Sequence, residues 1–335
     1  MKCIFRIVLV LCFAAFKASV LFAQIEVKFG SVAPRTPWAD DLDYIKKRVE
    51  SESNHTIKIK LFSGTAFGGE TEILRGIIRG QIQGGGFTTA AIASIIPEME
   101  IMEIPYLFAN AKESDCILDN HLLKSFRQLF AAKGLILVSW TEVGFRNIGN
   151  KTREIRTPSD LVGLKLRSQE SNIHLEFWKK MGVRPVPISI PEVLPSLQIG
   201  VVEGFDQTIL MTLAADWQTS IQYYTLTEHI YQPAAVVYSK SFYDKLNLVQ
   251  KKIIMGEGNG MAAKSRQAVR NMSEQSLKIL SKNAVLITKL TDAEKLAFRK
   301  AVIGLDLSMV KMIGGKAPMI FAKIKTAKLA CSKGK

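Results

Sequence analysis

Cysteine is scarce in this chain, with four in 335 residues, and Cys3 and Cys12 lie inside the first 23. Removing that segment leaves Cys116 and Cys331, so no disulfide framework is indicated. Histidine is equally sparse: His55, His121, His174 and His229 are scattered without metal-ligand spacing, and no metal site is expected. A serine elbow, a zinc helix and a cysteine–histidine pair are all lacking. Glu203 and Asp206 are close in sequence but have no partnered base or nucleophile, so no enzyme mechanism assembles. An exported hydrolase or lyase acting on an anionic substrate through one of them stands as the rival reading. No cofactor is expected either. The G-x-G-x-x-A pattern from Gly258 to Ala263 follows a helical stretch with Gln250, Lys251 and Lys252, where a dinucleotide fingerprint requires a buried strand. Gly314-Gly315-Lys316 has neither the spacing nor the hydroxyl of a phosphate loop. There is no internal repeat, no low-complexity linker, and no apolar run approaching the roughly 20 residues that span a bilayer.

What is present is a well-cored chain, 47% hydrophobic with positive mean hydropathy and long enough for two domains. Lys2 and Arg6 precede an apolar run from Ile7 to Phe16, and Ala23 offers a cleavage position. Residues 1–23 therefore read as a signal peptide and the mature chain as exported. The net charge of +15 attracts anionic partners. Basic residues are interleaved with acids, as in Lys46, Lys47, Arg48 and Glu50, and do not alternate with aromatics, which argues against nucleic acid. Only 314–335 is one-signed, with six lysines and no acid, and it reads as a solvated or frayed basic tail.

Along the chain, apolar patterning switches repeatedly between the two-residue period of strands and the spacing of helices. Ile25 to Ala33 reads as a strand, Trp38, Leu42, Ile45 and Val49 as one face of a helix, and Ile57, Ile59 and Leu61 as a second strand. Another helix covers Glu70 to Arg79, with a short strand at Gln81 to Gln83. Gly64, Gly68 and Gly69, and then Gly84 to Gly86, fall at strand ends, where they either line a cleft or make tight turns. A helical stretch reaches Lys133, a strand runs from Leu135 to Trp140, and near Val143 the chain crosses into a second α/β unit. Leu248 to Ser281 is helical with a break near Asn259, because interior glycines cost about 1 kcal/mol each. Thr291 with Glu294 forms a capping box.

Two arginines stand out. Arg146 in Gly144-Phe145-Arg146-Asn147 and Arg167 in Lys165-Leu166-Arg167-Ser168 each follow an apolar segment and precede a polar turn. Placed at strand ends, they offer a planar fork to a carboxylate; as structural residues they make ion pairs. Trp38, Phe87, Phe205, Met211 and Trp217 are candidates for an apolar wall beside them, or for ordinary core.

With these motifs in order, the chain from Phe29 to about Ile303 resembles the DctP-type solute-binding proteins of tripartite ATP-independent periplasmic (TRAP) transporters. The resemblance rests on Gly68-Gly69-Glu70-Thr71-Glu72, Ile104-Pro105-Tyr106-Leu107-Phe108, Gly144-Phe145-Arg146, Thr157-Pro158-Ser159-Asp160-Leu161, Gly163-Leu164-Lys165-Leu166-Arg167, and Glu192 with Leu197 through Gly204. It implies a two-lobed α/β periplasmic binding protein fold with a ligand cleft between lobes, crossing strands and a long lobe-spanning helical region. Lobe I would comprise 24–143 plus 233–272, and lobe II 144–232 plus 273–313. It implies that Arg167 pairs with the solute carboxylate and that Arg146 is a second contact. Where the family often has Asp-Gly-x-Glu-Asn, this chain has Glu203-Gly204-Phe205-Asp206-Gln207, so Gln207 and Asp206 join the candidate site, as does Glu72. The implied partners are a small organic acid, or a predominantly hydrophobic acid as the alternative, and TRAP membrane permease subunits. Some members also work with a helical-repeat accessory protein.

Overall fold

The computed structural model describes residues 24–32, 37–64, 68–256 and 260–332. The signal segment, most of the turn at Pro34 to Pro37, and Gly258 and Asn259 lie outside them. Alternating apolar residues build β1 (Ile25–Ser31) and β2 (Ile57–Ser63), which pair in parallel. Leu42, Ile45 and Val49 of the intervening helix Pro37–Glu52 pack with Val27, Phe29, Ile57 and Ile59 in one buried cluster. Each side chain so buried contributes about 1.5–3 kcal/mol.

The remaining strands are β3 (Gly84–Thr88), β4 (Leu135–Asn150), β5 (Lys165–Ser168), β6 (Arg184–Pro187), β7 (Gly204–Gln207), β8 (Tyr223–Ser239) and β9 (Leu286–Lys289). They form a single sheet in the order β2-β1-β3-β8-β4-β7-β5-β6, with β9 added to β8. The outer strands on each side are parallel: β2-β1-β3 in one half and β7-β5-β6 in the other. Between them, β4 and β8 run antiparallel from Leu135↔Ser239 to Asn150↔Tyr223. Both long strands therefore belong to both halves. Their pairing shifts register between Leu137 and Ser139, Glu142 and Gly144, and Arg146 and Ile148. Such bulges bend a ladder without ending it.

Two boundaries differ from the sequence reading. β4 does not stop at Trp140; it continues through Arg146 because Gly144, at φ +111°, absorbs the irregularity. The second glycine cluster is strand β3 itself, not the turn after a strand at Gln81 to Gln83. A Cβ on Gly84 would come within 2.7 Å of the Phe29 and Tyr238 rings, so glycine there allows close packing between strands. The break in the long helical region falls as expected, with Leu248–Met255 ending at Gly256 (φ 54°) and Met261–Lys282 resuming after Gly260.

Helix Met261–Lys282 clasps the crossing strands. Arg270 bonds to Glu142 of β4 (2.9 and 2.8 Å) and to Asp115 (2.8 Å), while Arg266 one turn earlier pairs with Asp119 (2.5 Å). Tyr231 of β8 donates to the same Glu142, and Trp38 Nε1 donates to its carbonyl (2.9 Å).

The C-terminal segment corrects the expectation of fraying. Ala317–Cys331 is a helix that buries Ala317, Ile320, Phe321, Ile324 and Ala327, a helical spacing hidden in the sequence among lysines. Lys328 pairs with Glu113 (2.8 Å), and Cys331 forms a disulfide with Cys116 across 215 residues. The two cysteines left unassigned by composition are thus partners, brought together by packing that sequence spacing does not reveal. No helix among the described residues is long and apolar enough to cross a membrane.

A bridge closing so long a loop restricts the unfolded chain, and its loss typically costs 2–4 kcal/mol. Cys331→Ser is therefore expected to lower the unfolding free energy by about that amount in denaturant titration. Unfolded wild-type protein purified from an oxidising compartment should show no thiol reactive at Cys116 until a reductant is added.

Candidate functional site

The bulged centre of β4 and β8 and the carboxyl ends of β3, β5 and β7 surround a cleft between the two halves of the sheet. Its apolar inner part is lined by Trp38, Leu42, Phe87, Val143, Met211 and Val236, with Gln169, Gln207 and Gln232 at polar positions. An outer, more polar part is lined by Glu70, Glu72, Arg75, Arg167, Gln169, Glu170 and Glu192. Glu70, Thr88, Gln169 and Ile190 line both parts, so the two form one continuous space.

The two arginines take different roles. Arg146 lies mid-strand, fully buried, and makes four hydrogen bonds: Nε to Asp206 Oδ2 (2.6 Å), Nη2 to the Asp206 carbonyl (2.5 Å), and Nη1 to the side-chain oxygens of Gln207 (3.1 Å) and Gln232 (2.7 Å). It is the structural ion pair, and the residues lining the cleft in front of it are the glutamines it orients. Asp206 is held well below the usual carboxylate range: burial alone would raise it, but Arg146, His174 and His229 outweigh burial. His174 sits between Glu103 (2.6 Å) and Asp206 (3.5 Å). Burial opposes its protonation, yet the two carboxylates win and raise its pKa, while burial dominates at His229 and lowers it. Glu103 closes the network by accepting from Gln232 Nε2 (3.0 Å), which also donates to Gln169 Oε1 (2.9 Å).

Arg167 is the opposite case. It lies in β5, 2% exposed, with Nε donating to the Ile188 carbonyl (2.8 Å) and the guanidinium 5.4 Å from the Trp217 ring centroid. Its Nη1 is buried without a partner, and so is Nε2 of Gln169, two residues on. Both residues line the outer part of the cleft, so these two donors open on one space. Burial and the nearby Arg146 push the guanidinium down to about 10, which leaves it cationic at neutral pH.

Of the other residues singled out in the sequence, Trp38, Phe87, Met211 and Gln207 line the inner cleft and Glu72 the outer opening. Glu72 is exposed and accepts from the Gly69 backbone N–H (3.0 Å), closing the first turn of helix Glu70–Ile78. Phe205 and Trp217 are not part of the wall. They pack edge to face (5.1 Å) in the core of the second half, because Phe205 fills the space over Gly149. Sequence reasoning passed over Glu70, Thr88, Gln169 and Gln232. The signal for Gln232 was present: an amide inside the apolar run of β8.

Glu70 accepts from the Thr88 backbone N–H (2.7 Å) and hydroxyl (2.9 Å). Burial nonetheless pushes it up to about 7, aided by Glu103.

This geometry defines a two-lobed binding protein, with a buried cation and paired amides facing the space between lobes. The chain belongs to the bacterial extracellular solute-binding proteins of family 7, the DctP type: the family model matches residues 29–308. Similar solved structures include the sugar acid binding protein DctPAm from Advenella mimigardefordensis in complex with galactonate. It is 28% identical, with a TM-score of 0.86, covering 91% of this chain and 99% of that one. A TRAP periplasmic solute-binding protein from Polaromonas sp. JS666 bound to D-erythronate is 27% identical, with a TM-score of 0.85 over 91% and 98% of the two chains. The 2,3-diketo-L-gulonate-binding periplasmic protein of Escherichia coli K12 is 24% identical over 86% of this chain and 88% of that one.

An acid whose folded pKa is raised binds its proton more tightly in the folded state, so stability falls as pH rises between the two pKa values. For Glu70 that window runs from about 4.5 to about 7. Glu70→Gln should therefore stabilise the solute-free protein at pH 8, by on the order of 1–3 kcal/mol, and change it little at pH 4.5. Thermal unfolding of both proteins at the two pH values checks this.

Proposed function

We propose that this protein captures a small organic acid by its carboxylate between the two lobes and presents it to the membrane permease subunits of a TRAP transporter. The observation that carries the reading is the pair of buried, unpartnered donors on Arg167 Nη1 and Gln169 Nε2. A buried donor left without a partner costs about 1–3 kcal/mol. A carboxylate supplies both the opposite charge and two acceptor oxygens. A purely hydrophobic solute would leave both donors unpaired.

Capture would couple to closure because the walls come from both halves. Trp38, Glu70, Phe87 and Thr88 belong to the half containing β1 to β3, while Arg167, Gln169, Gln207 and Met211 come from the half containing β5 to β7. A solute touching both binds the closed form better and shifts the population toward it. Arg146 acts behind them by fixing Gln207 and Gln232 through the pair it forms with Asp206. The relatives bound to galactonate and D-erythronate support a carboxylate solute.

A hydrolytic alternative is not favoured. Asp206 Oδ2 is paired with Arg146, and Glu203 accepts from the Lys165 backbone N–H (2.9 Å), away from the cleft lining. The protein is accordingly read as a periplasmic carrier without catalysis, released from its signal peptide after Ala23, with a helical-repeat accessory protein as a further partner of the transporter.

Arg167→Ala should weaken binding of any acid that the wild-type protein binds by about 100-fold or more, the loss of two charge-assisted hydrogen bonds. Isothermal titration calorimetry on both proteins is the check. Affinity within threefold of wild type would contradict the proposed anchor.

A further inference from the structure

The surface built by helices Asp292–Ala301, Leu305–Ile313 and Ala317–Cys331 is basic and apolar at once. From Lys295 to Ser332 the chain has eight basic residues and one acid, Asp306. Lys295 pairs with Glu228 (2.6 Å) and Lys328 with Glu113 (2.8 Å); the other six make no salt bridge among the described residues. Fourteen large apolar side chains are exposed among the described residues, and six of them fall in 296–329: Leu296, Ile303, Leu307, Met312, Met319 and Leu329. Exposed apolar residues scattered singly are ordinary, whereas a cluster rimmed by charge marks a contact surface.

Helix Ala317–Cys331 shows how the two properties combine. Ala317, Ile320, Phe321, Ile324 and Ala327 face the core. On the opposite side Met319, Ala322, Thr326 and Leu329 recur at three- and four-residue spacing, all exposed, Met319 at 61% and Leu329 at 68%. A surface helix is normally polar opposite its core. This one is apolar on both sides and carries its charge between them: at 3.6 residues per turn, Lys316 and Lys323 fall along one edge of the outer stripe and Lys325 along the other, and the helix holds no acid. At the Lys325 edge the stripe borders a groove lined by Tyr106, Arg299, Ile303, Lys325 and Leu329, so the same mixture continues onto the neighbouring helices. That groove shares no lining residue with the solute cleft.

We propose that this face lies on an anionic lipid surface, with Met319, Leu329 and Ile303 entering the apolar boundary and the lysines on both edges reaching phosphate headgroups. Lysine suits that place, because its stem packs along apolar groups while its ammonium stays among hydrated phosphates. A second copy of this chain would set like charges against each other. A protein partner fits less well, since protein interfaces favour aromatics and arginine and are depleted in lysine. Here the six unpaired cations are five lysines and Arg299, and the aromatics of 295–332, Phe298 and Phe321, are both buried. No described helix is long and apolar enough to cross a bilayer, so the contact is with its surface. On the function proposed above, it would hold the carrier beside the membrane that contains the permease; it stands or falls independently of carboxylate capture at Arg167.

Co-sedimentation with vesicles tests this. The purified protein is mixed with vesicles of phosphatidylglycerol and phosphatidylcholine at about 3:7, and with phosphatidylcholine alone, in about 0.1 M salt. Three double variants are compared: Lys323→Glu with Lys325→Glu, Met319→Ser with Leu329→Ser, and Lys179→Glu with Lys180→Glu. The last makes the same change in net charge on helix Asn172–Lys180. All six substituted side chains are exposed, so each variant keeps the fold. Wild type should bind the anionic vesicles and not phosphatidylcholine alone. Reversing Lys323 and Lys325 should weaken binding at least about tenfold and the serine pair at least about threefold, whereas reversing Lys179 and Lys180 should change it less than about threefold. Wild-type protein that stays in solution with the anionic vesicles overturns the proposal. So does equal weakening by the two charge-reversed pairs, which makes the attraction one of net charge alone, and so does a serine pair that binds as tightly as wild type.

Discussion

The buried pair between Arg146 and Asp206 is the interaction on which the interior depends. It lies where β4 and β7 run side by side in the sheet, both partners fully buried, and it reaches through Gln207 and Gln232 to the wall of the cleft. A buried pair gains its keep only when its remaining donors and acceptors are satisfied. Here the Arg146 donors are taken up by two glutamines and a main-chain carbonyl as well as Asp206, and two histidines lie against Asp206 Oδ2, so the pair becomes a scaffold that fixes amide orientation. Arg146 is bonded through all three of its nitrogens, whereas Arg167 keeps Nη1 free, with Asp206 near enough to act on it only electrostatically.

The sheet gives this arrangement a defined irregularity. Two long antiparallel strands pass through both halves, and their register shifts concentrate around Glu142, Gly144 and Arg146. Helix Met261–Lys282 grips the same place through Arg270 and Glu142, and the C-terminal helix is held to the helix beginning at Ala111 by Lys328 and by the disulfide. On the proposed capture mechanism, bending would fall at these few bulged positions beside the cleft, where small rotations bring the walls together without breaking the ladder.

Much of this was legible in the sequence, and the failures have physical causes. Alternation in β1 and β2, the helical stripe of Leu42, Ile45 and Val49, the glycine break after Met255 and the capping box at Thr291 are local patterns, and local patterns survive folding. The length of β4 is not legible locally because its bulges are set by the partner strand, which the sequence of β4 does not contain. The disulfide and the docked C-terminal helix depend on contacts across 215 residues, beyond the reach of spacing arguments. The two arginines looked alike because each follows an apolar run; what separates them is whether Asp206 lies next to the guanidinium. Phe205 and Trp217 were placed near the solute by their neighbourhood in sequence, whereas packing over Gly149 turned them into core.

The central claim is that charge on the solute, not shape alone, is what the cleft reads at Arg167. The most direct measurement compares an acid that the wild-type protein binds with its own primary amide, which keeps the shape and removes the charge. The account predicts that the acid binds at least about 100-fold more tightly than the amide. An amide that binds within threefold of the acid would contradict it.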